Sequence, residues 1–334
     1  MINKSLMIIN HNTPCSCSCR YCFFGSCKTL NGIPYEAGEE IALRFKKWRS
    51  DNEIADFVIS YAVSRTADYP ELVRNIQLNK ELNFPGYSYL QINGIRLRNK
   101  SSLYDYLRRV KDAGVTTVDT TFYGLREYHD GFAARKGDFD FLVDIIRCGM
   151  ELGLVMKPTF TAFEDNKEQL AELVGLLSEL GCEKIYGYIH DYKGGGVDLE
   201  DIRLTELSLD ALPKSVKSRI SIGRHKTEAE WIRDSNYSIP TSRSLVLALC
   251  NDNIDMIESM SCGAIIDYIS ELDDKYHNAI PDIFALSKRY GDINNLKLYR
   301  QRDLLLKWQK QYIRDEGLLL HDVTDENNCG AIRY

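Results

Sequence analysis

The sequence predicts an α/β fold followed by a mostly helical C-terminal extension. Three observations predict it. Over the first two-thirds of the 334 residues, short apolar runs alternate with amphipathic stretches. That rhythm changes after about position 205. Hydrophobic residues at 44% and charged residues at 27% are ordinary globular values with enough apolar material for a sizeable core. About six strand–helix alternations argue for parallel β/α units joined by right-handed crossovers. An open doubly wound sheet and a barrel share this periodicity.

The elements follow in order. Ser5–Ile9 is strand-like and leads into a cysteine-rich loop. Glu39–Trp48 reads as a helix, Ala55–Ser60 as a strand and Pro70–Leu82 as a helix. Tyr87–Ile92 is a strand closed by the turn pair Asn93-Gly94. Ser101 or Ser102 caps a helix over Leu103–Ala113 that stops at Gly114, and the Thr- and Val-rich Val115–Phe122 is a strand. Phe139–Leu152 is a helix, Leu154–Phe160 a strand, Glu168–Leu180 a helix and Lys184–Ile189 a strand. Beyond 205, helices are expected over Leu207–Val216, Asp252–Leu272 and Leu296–Tyr312, with a strand at Ser244–Leu249. This divides the chain into 1–205 and a helical extension, 206–334.

Composition excludes several classes. A net charge of −6 argues against a whole-chain nucleic-acid binder. No run of about 18 apolar residues is present, so no spanning helix is expected. The opening MINKSLMIIN lacks the long apolar core and small-residue cleavage site of a signal peptide, so a cytoplasmic protein without a membrane partner is expected.

Five of the ten cysteines fall between positions 15 and 27. In a reducing compartment such a cluster more often binds metal than forms disulfides. It follows the first strand directly, and ligands in β/α proteins bind at the carboxyl ends of strands. Cys15, Cys19 and Cys22 form C-x3-C-x2-C, with Tyr21 before the last cysteine. Cys19-x2-Cys22 is also half of a zinc site, and a redox-active thiol site is a third reading. Cys17 is expected to point away from the other thiols.

The C-x3-C-x2-C spacing resembles the radical S-adenosylmethionine (radical SAM) superfamily. Gln91-Ile92-Asn93-Gly94 and Thr121-Phe122-Tyr123-Gly124-Leu125-Arg126-Glu127-Tyr128-His129-Asp130, then Gly137-Asp138-Phe139, extend the resemblance, which covers roughly residues 5–195. It implies a partial (β/α)6 TIM-like barrel over 1–205, with 206–334 able to cover a substrate. It implies a [4Fe–4S] cluster on Cys15, Cys19 and Cys22, leaving one iron open for SAM. Reductive cleavage of SAM would give a 5′-deoxyadenosyl radical that takes hydrogen from a peptide or small-molecule substrate. An electron donor such as flavodoxin or ferredoxin is implied as well. Tyr21 would lie near the adenine, Thr121 near the ribose and Ser60 by the SAM amino group. The family's Gly-Gly-Glu-like segment is replaced here by Ser60-Tyr61-Ala62-Val63-Ser64-Arg65. That departure keeps an alternative open: a non-catalytic zinc or Fe–S module with a partner-recognition role. An activase that places a radical on a partner protein is a further option.

Other candidates stand beside bland readings. Cys250, Cys262 and Cys329 could hold an auxiliary cluster, but their wide spacing, and the apolar neighbours of Cys262 and Cys148, favour core packing. His129-Asp130 is a candidate acid/base pair, and His190, with Asp191 just after the sixth strand, is a candidate to contact substrate or titrate near neutrality; structural histidines are the simpler account. Lys157, Arg96 and Arg65 are candidates for an anionic group. Gly194-Gly195-Gly196 lacks phosphate-loop spacing and reads as the most flexible spot.

Overall fold

Strand β1 (Ser5–Asn10) is the middle of a three-stranded parallel sheet. On one side lies β2 (Val58–Val63); on the other lies β8 (Ser244–Leu249), which arrives from the C-terminal segment. A second parallel sheet runs in the order β3 (Tyr89–Gln91), β4 (Thr117–Phe122), β5 (Val155–Ala162), β6 (Tyr186–Ile189). The computed structural model describes residues 5–10, 14–22, 32–63, 66–238 and 244–320. Among these residues no strand pairing joins the two sheets, so the barrel is open rather than closed.

Helices α1 (Tyr35–Asp51), α2 (Leu72–Glu81), α3 (Lys100–Asp112), α4 (Arg126–Ala133), α5 (Asp138–Glu151) and α6 (Leu170–Glu179) fill the crossovers. Side chains alternate between the two faces of each strand. Leu6, Ile8, Ile59, Tyr61, Leu245 and Leu247 face the helices and belong to the main core. Val118, Phe122, Met156 and Phe160 do the same in the second sheet. Burying one such side chain stabilises by about 1.5–3 kcal/mol. The opposite faces, with Met7, Ser60 and Val246 in one register row and Asp119 and Lys157 in another, line the interior of the open barrel.

Five elements escaped the sequence rhythm: α4, α9 (Glu228–Asp234), α12 (Ile283–Tyr290) and the two strands of a small antiparallel pair, β7 (His225–Thr227) and β9 (Leu298–Arg300). Two expected helices are each split. Leu207–Val216 becomes α7 (Glu206–Ala211) and α8 (Lys214–Lys217), because Pro213 starts a new helix. Asp252–Leu272 becomes α10 (Ile254–Ser259) and α11 (Cys262–Ala279), because the Ser261 hydroxyl accepts from the Ala264 amide and caps a fresh N-terminus. The last helix, α13 (Gln301–Asp315), begins five residues later than expected, after β9. Trp231, Tyr276, Tyr299, Leu304 and Trp308 form a second apolar core in this segment. The carboxylate of Glu228, fully buried there, accepts from Trp308 Nε1 at 2.9 Å, Asn295 Nδ2 at 2.6 Å and Lys307 Nζ at 2.7 Å.

Candidate functional site

The loop after β1 runs extended across the carboxyl end of the second sheet. The amide of Ser16 donates to the Gly94 carbonyl (2.9 Å), that of Ser18 to Ala133 (3.0 Å) and that of Arg20 to Phe132 (3.0 Å). Every second amide is thus spent on the β3 turn or on the end of α4. In an extended chain the residues between share the opposite side. Cys15, Cys17 and Cys19 are half-buried on that side, while Ser16, Ser18 and Arg20 are exposed. The expectation that Cys17 points away is therefore corrected: its i−2 and i+2 neighbours are the two other cysteines, and period-two geometry puts all three together.

The Cys17 thiol reaches Cys15, Cys19 and the Asp138 carboxylate, the last at 3.5 Å. It has one proton, so it serves one acceptor at a time. Hydrogen bonding from Cys17 pulls the Cys15 thiol down to about 6 and the Cys19 thiol below its usual range, against the opposing effect of burial. Cys17 itself is pushed far upward by the same two contacts. The Cys17 amide also points at Cys15 Sγ, at 3.4 Å. Gly94, at a positive φ of 80°, leaves room for that sulfur, since a Cβ on Gly94 would lie 2.1 Å from it.

Cys22 follows after a turn closed by its amide on the Cys19 carbonyl (3.1 Å), and its own carbonyl accepts from Gly195 at 2.7 Å. A Cβ on Gly195 would come 2.4 Å from the Arg20 carbonyl oxygen, and one on Gly196 would meet the Tyr21 ring at 3.0 Å. The glycine run is thus a close-packing surface for the cysteine loop. The sequence expectation of flexibility there is overturned: Gly195 and Gly196 are buried in a 3-10 turn spanning Gly194–Ile202. Tyr21 packs edge-on against Phe163 and His190, and its hydroxyl accepts from the Asp191 amide at 3.0 Å.

The strand ends carry the remaining candidates. The Asn93 side chain accepts from the Thr121 amide (2.7 Å) and donates to the Thr121 carbonyl (3.0 Å), tying the β3 turn to β4. The Thr121 hydroxyl accepts from Thr159 at 3.0 Å. Ser60 is buried on the interior face of β2, paired in register with Met7. His129 and Asp130 do not act as a pair. Asp130 accepts from the amides of Gly137 and Phe139. His129 Nδ1 accepts the Tyr123 amide at 3.1 Å, which fixes the proton on Nε2, 3.2 Å from Asp138. Burial works against the Asp138 charge, but hydrogen bonds from His129 and Arg135 outweigh it and hold the carboxyl below its usual range. Nothing in the sequence separated Asp138 from its neighbours; it sits nine residues from His129 and 121 from Cys17.

Burial, reinforced by the nearby Arg203 guanidinium, pushes His190 down to about 2, so the ring is neutral and part of the aromatic packing. Arg96 is bound to Asp68 at 2.9 Å. Cys148 and Cys262 are core residues with thiols raised by burial. Cys250 is half-buried; Arg65, Cys27 and Cys329 lie outside the described residues.

The donor chemistry suits a thiolate-bound cluster. Metal ligation needs cysteine in its thiolate form, and two of the three predicted ligands are already biased towards it. Among the described residues no three His, Cys, Asp or Glu side chains converge on a single ion position. A cube takes each cysteine at a different iron, so its ligands need no common point.

Native anSMEcpe with bound AdoMet and Kp18Cys peptide matches over 93% of this chain and 97% of its own, at 14% identity and a TM-score of 0.52. Native anSMEcpe with bound AdoMet gives 0.51 over the same shares, again at 14% identity. These neighbours are radical SAM enzymes. The chain has the radical SAM superfamily fold. Against Streptococcus suis SuiB the match covers 56% of this chain but only 39% of that one, at 16% identity and a TM-score of 0.41. No protein-family model and no curated protein matches the sequence. Within the radical SAM fold, the cysteine loop lies where the open barrel presents the carboxyl ends of its strands. Among the described residues no helix is long and apolar enough to cross a membrane.

Proposed function

We propose that this protein is a radical SAM enzyme. Its [4Fe–4S] cluster is held by Cys15, Cys19 and Cys22, and SAM cleavage there yields a 5′-deoxyadenosyl radical that abstracts hydrogen from a peptide or small-molecule substrate. The observation that carries this reading is the cysteine loop laid across the strand ends with Cys15 and Cys19 drawn towards thiolate.

The chain's own residues have separable tasks. The amides of Ser16, Ser18 and Arg20 fix the loop's course, and Gly195 fixes it at Cys22. Cys17 offers its single proton to whichever neighbouring sulfur carries charge. Asn93 locks the β3 turn to β4, which sets Gly94 under Cys15 and holds Thr121 at the rim. Tyr21 clamps the loop to the end of β6. Tyr21, Ser60 and Thr121 are our assignments for SAM contacts. We assign 1–205 as the core and 206–334 as the region that covers the substrate and would keep water from a reactive intermediate. A peptide substrate is favoured by the neighbour solved with a bound peptide. A cytoplasmic location and a flavodoxin- or ferredoxin-type donor complete the proposal.

Anaerobic reconstitution with iron and sulfide, followed by SAM and a chemical reductant, is expected to give 5′-deoxyadenosine, and Cys19→Ala is expected to abolish it. No product from protein carrying about four irons per chain would falsify the enzyme reading. The Ser60–Val63 segment, which lacks the glycines and glutamate expected for SAM contact, keeps the non-catalytic metal module as the second reading. Zinc in place of iron and sulfide would establish it.

A further inference from the structure

We infer that the interior face of β3–β6 binds a substrate through one carboxylate, seated on the Lys157 ammonium and flanked by tyrosine rings. This rests on the radical SAM reading for the presence of a substrate in the barrel and specifies its chemistry.

The register assembles the site from four strands. Asp119 on β4 lies opposite Lys157 on β5, and Thr159 on β5 opposite Tyr186 on β6. Lys157 Nζ stands 4.8 Å from the centre of the Tyr186 ring and 5.4 Å from that of Tyr89 on β3. Large aromatic side chains normally bury themselves. Here Tyr89, Tyr186 and Tyr188 stay 42%, 38% and 44% exposed, on the face that carries no helix. Open aromatic surface flanked by polar groups marks a binding face.

The charges on this face cancel only in part: Lys157 lies opposite Asp119 and pulls its carboxyl downward, without an ion pair forming between them. Asp119 is 5% exposed, and the Tyr89 hydroxyl donates to it at 2.5 Å. Burial raises its carboxyl above the usual range, against the opposing effects of the Tyr89 hydroxyl and the Lys157 charge. Lys157 is half-buried and, among the described residues, has no carboxylate within ion-pair distance. The arginines nearest the strand ends are committed: Arg96 to Asp68, Arg135 to Asp138 and Arg203 to Glu200. One compact ammonium matches one carboxylate; a phosphate dianion favours several donors or an arginine fork. Lys157 is two residues before Thr159, the register partner of Thr121, so the anchor lies about 7 Å below Thr121, on a strand that ends at Ala162. That span leaves a small molecule or side chain with its far end towards the cysteine loop.

The test uses the full chain, reconstituted anaerobically, with dansylglycine and its uncharged amide as fluorescent probes and no reductant present. Dansylglycine is expected to bind about tenfold or more tightly than the amide. Lys157→Gln should remove the preference, Lys157→Arg should keep most of it, and the exposed Lys184→Gln should leave it unchanged. No saturable binding, equal binding of the two probes, or a preference that survives Lys157→Gln would overturn the inference. Loss in Lys157→Arg as complete as in Lys157→Gln would overturn it too, since charge would then not be the reason. The readout is independent of SAM cleavage. An enzyme that makes no 5′-deoxyadenosine yet discriminates the probes through Lys157 refutes the catalytic reading alone.

Discussion

The Gly195 amide donates to the Cys22 carbonyl at 2.7 Å, joining the turn after β6 to the third cysteine of the C-x3-C-x2-C spacing, 173 positions earlier in the chain. Closing that distance in sequence costs loop entropy that a single hydrogen bond, worth about 1 kcal/mol net, does not offset. The contact holds because its surroundings are packed. Gly196 lies under the Tyr21 ring, and the Tyr21 hydroxyl takes the Asp191 amide.

Replacing Gly195 with alanine tests that packing. The new methyl would press on the Arg20 carbonyl and the Cys22 amide, at 2.4 and 3.2 Å. Both are backbone atoms and cannot rotate away. Gly195→Ala is expected to lower stability by about 1–3 kcal/mol in urea titrations. Its iron and sulfide content after reconstitution should drop below roughly half that of the parent. Gly223→Ala, with nothing within 4 Å, is the control. Full cluster loading in Gly195→Ala would show that the close approach does not position the loop.

Glu164 ties the end of β5 to the segment after 204. It accepts from the Thr205 amide and hydroxyl, the Ser208 hydroxyl and Lys167. Burial opposes the charge, but these donors win and bring the carboxyl down from 4.5 to about 2. A folded-state value below the unfolded one means that the unfolded chain binds the proton first as pH falls. The stabilisation is therefore complete above 4.5 and is lost progressively towards about 2. Glu164→Gln should be less stable near neutrality and show a shallower decline over that acid range. Parallel curves for the two proteins would contradict the assignment.

His190 should stay neutral when the medium is acidified. Burial among Tyr21 and Phe163 disfavours the imidazolium and pushes the ring to about 2. The unfolded chain takes up a proton that the folded one refuses, so this residue's share of stability is present above about 6.5 and lost below it. Its ring carbon-bound proton resonance is expected not to move between about pH 8 and pH 5. A titration midpoint near neutrality would restore His190 as an acid/base candidate.

Much of the core was legible because period-two and helical patterns are local. β1, β2, β4 and β5 and the helices α1, α2, α3 and α5 fall where alternation put them, within a few residues. α4 was missed because the eight residues Arg126–Ala133 carry too few apolar positions to stand out. The α10–α11 break was missed because a continuous apolar stripe hid the Ser261 cap.

The sequence by itself determined which thiols the loop offers and at what spacing. The C-x3-C-x2-C spacing and its position after a strand are properties of consecutive residues, and they resemble one superfamily. Tertiary structure alone decided four other matters. Cys17 joined Cys15 and Cys19 because the loop is stretched across backbone acceptors at Gly94, Phe132 and Ala133. The partner of His129 became Asp138, once the turn of α4 into α5 had used Asp130 as a cap. β8 came back from residue 244 to complete the sheet beside β1, and Lys157 gained tyrosines from strands on both sides. Such contacts join residues tens to hundreds of positions apart. They form only when the whole chain is packed, so no window of sequence contains them.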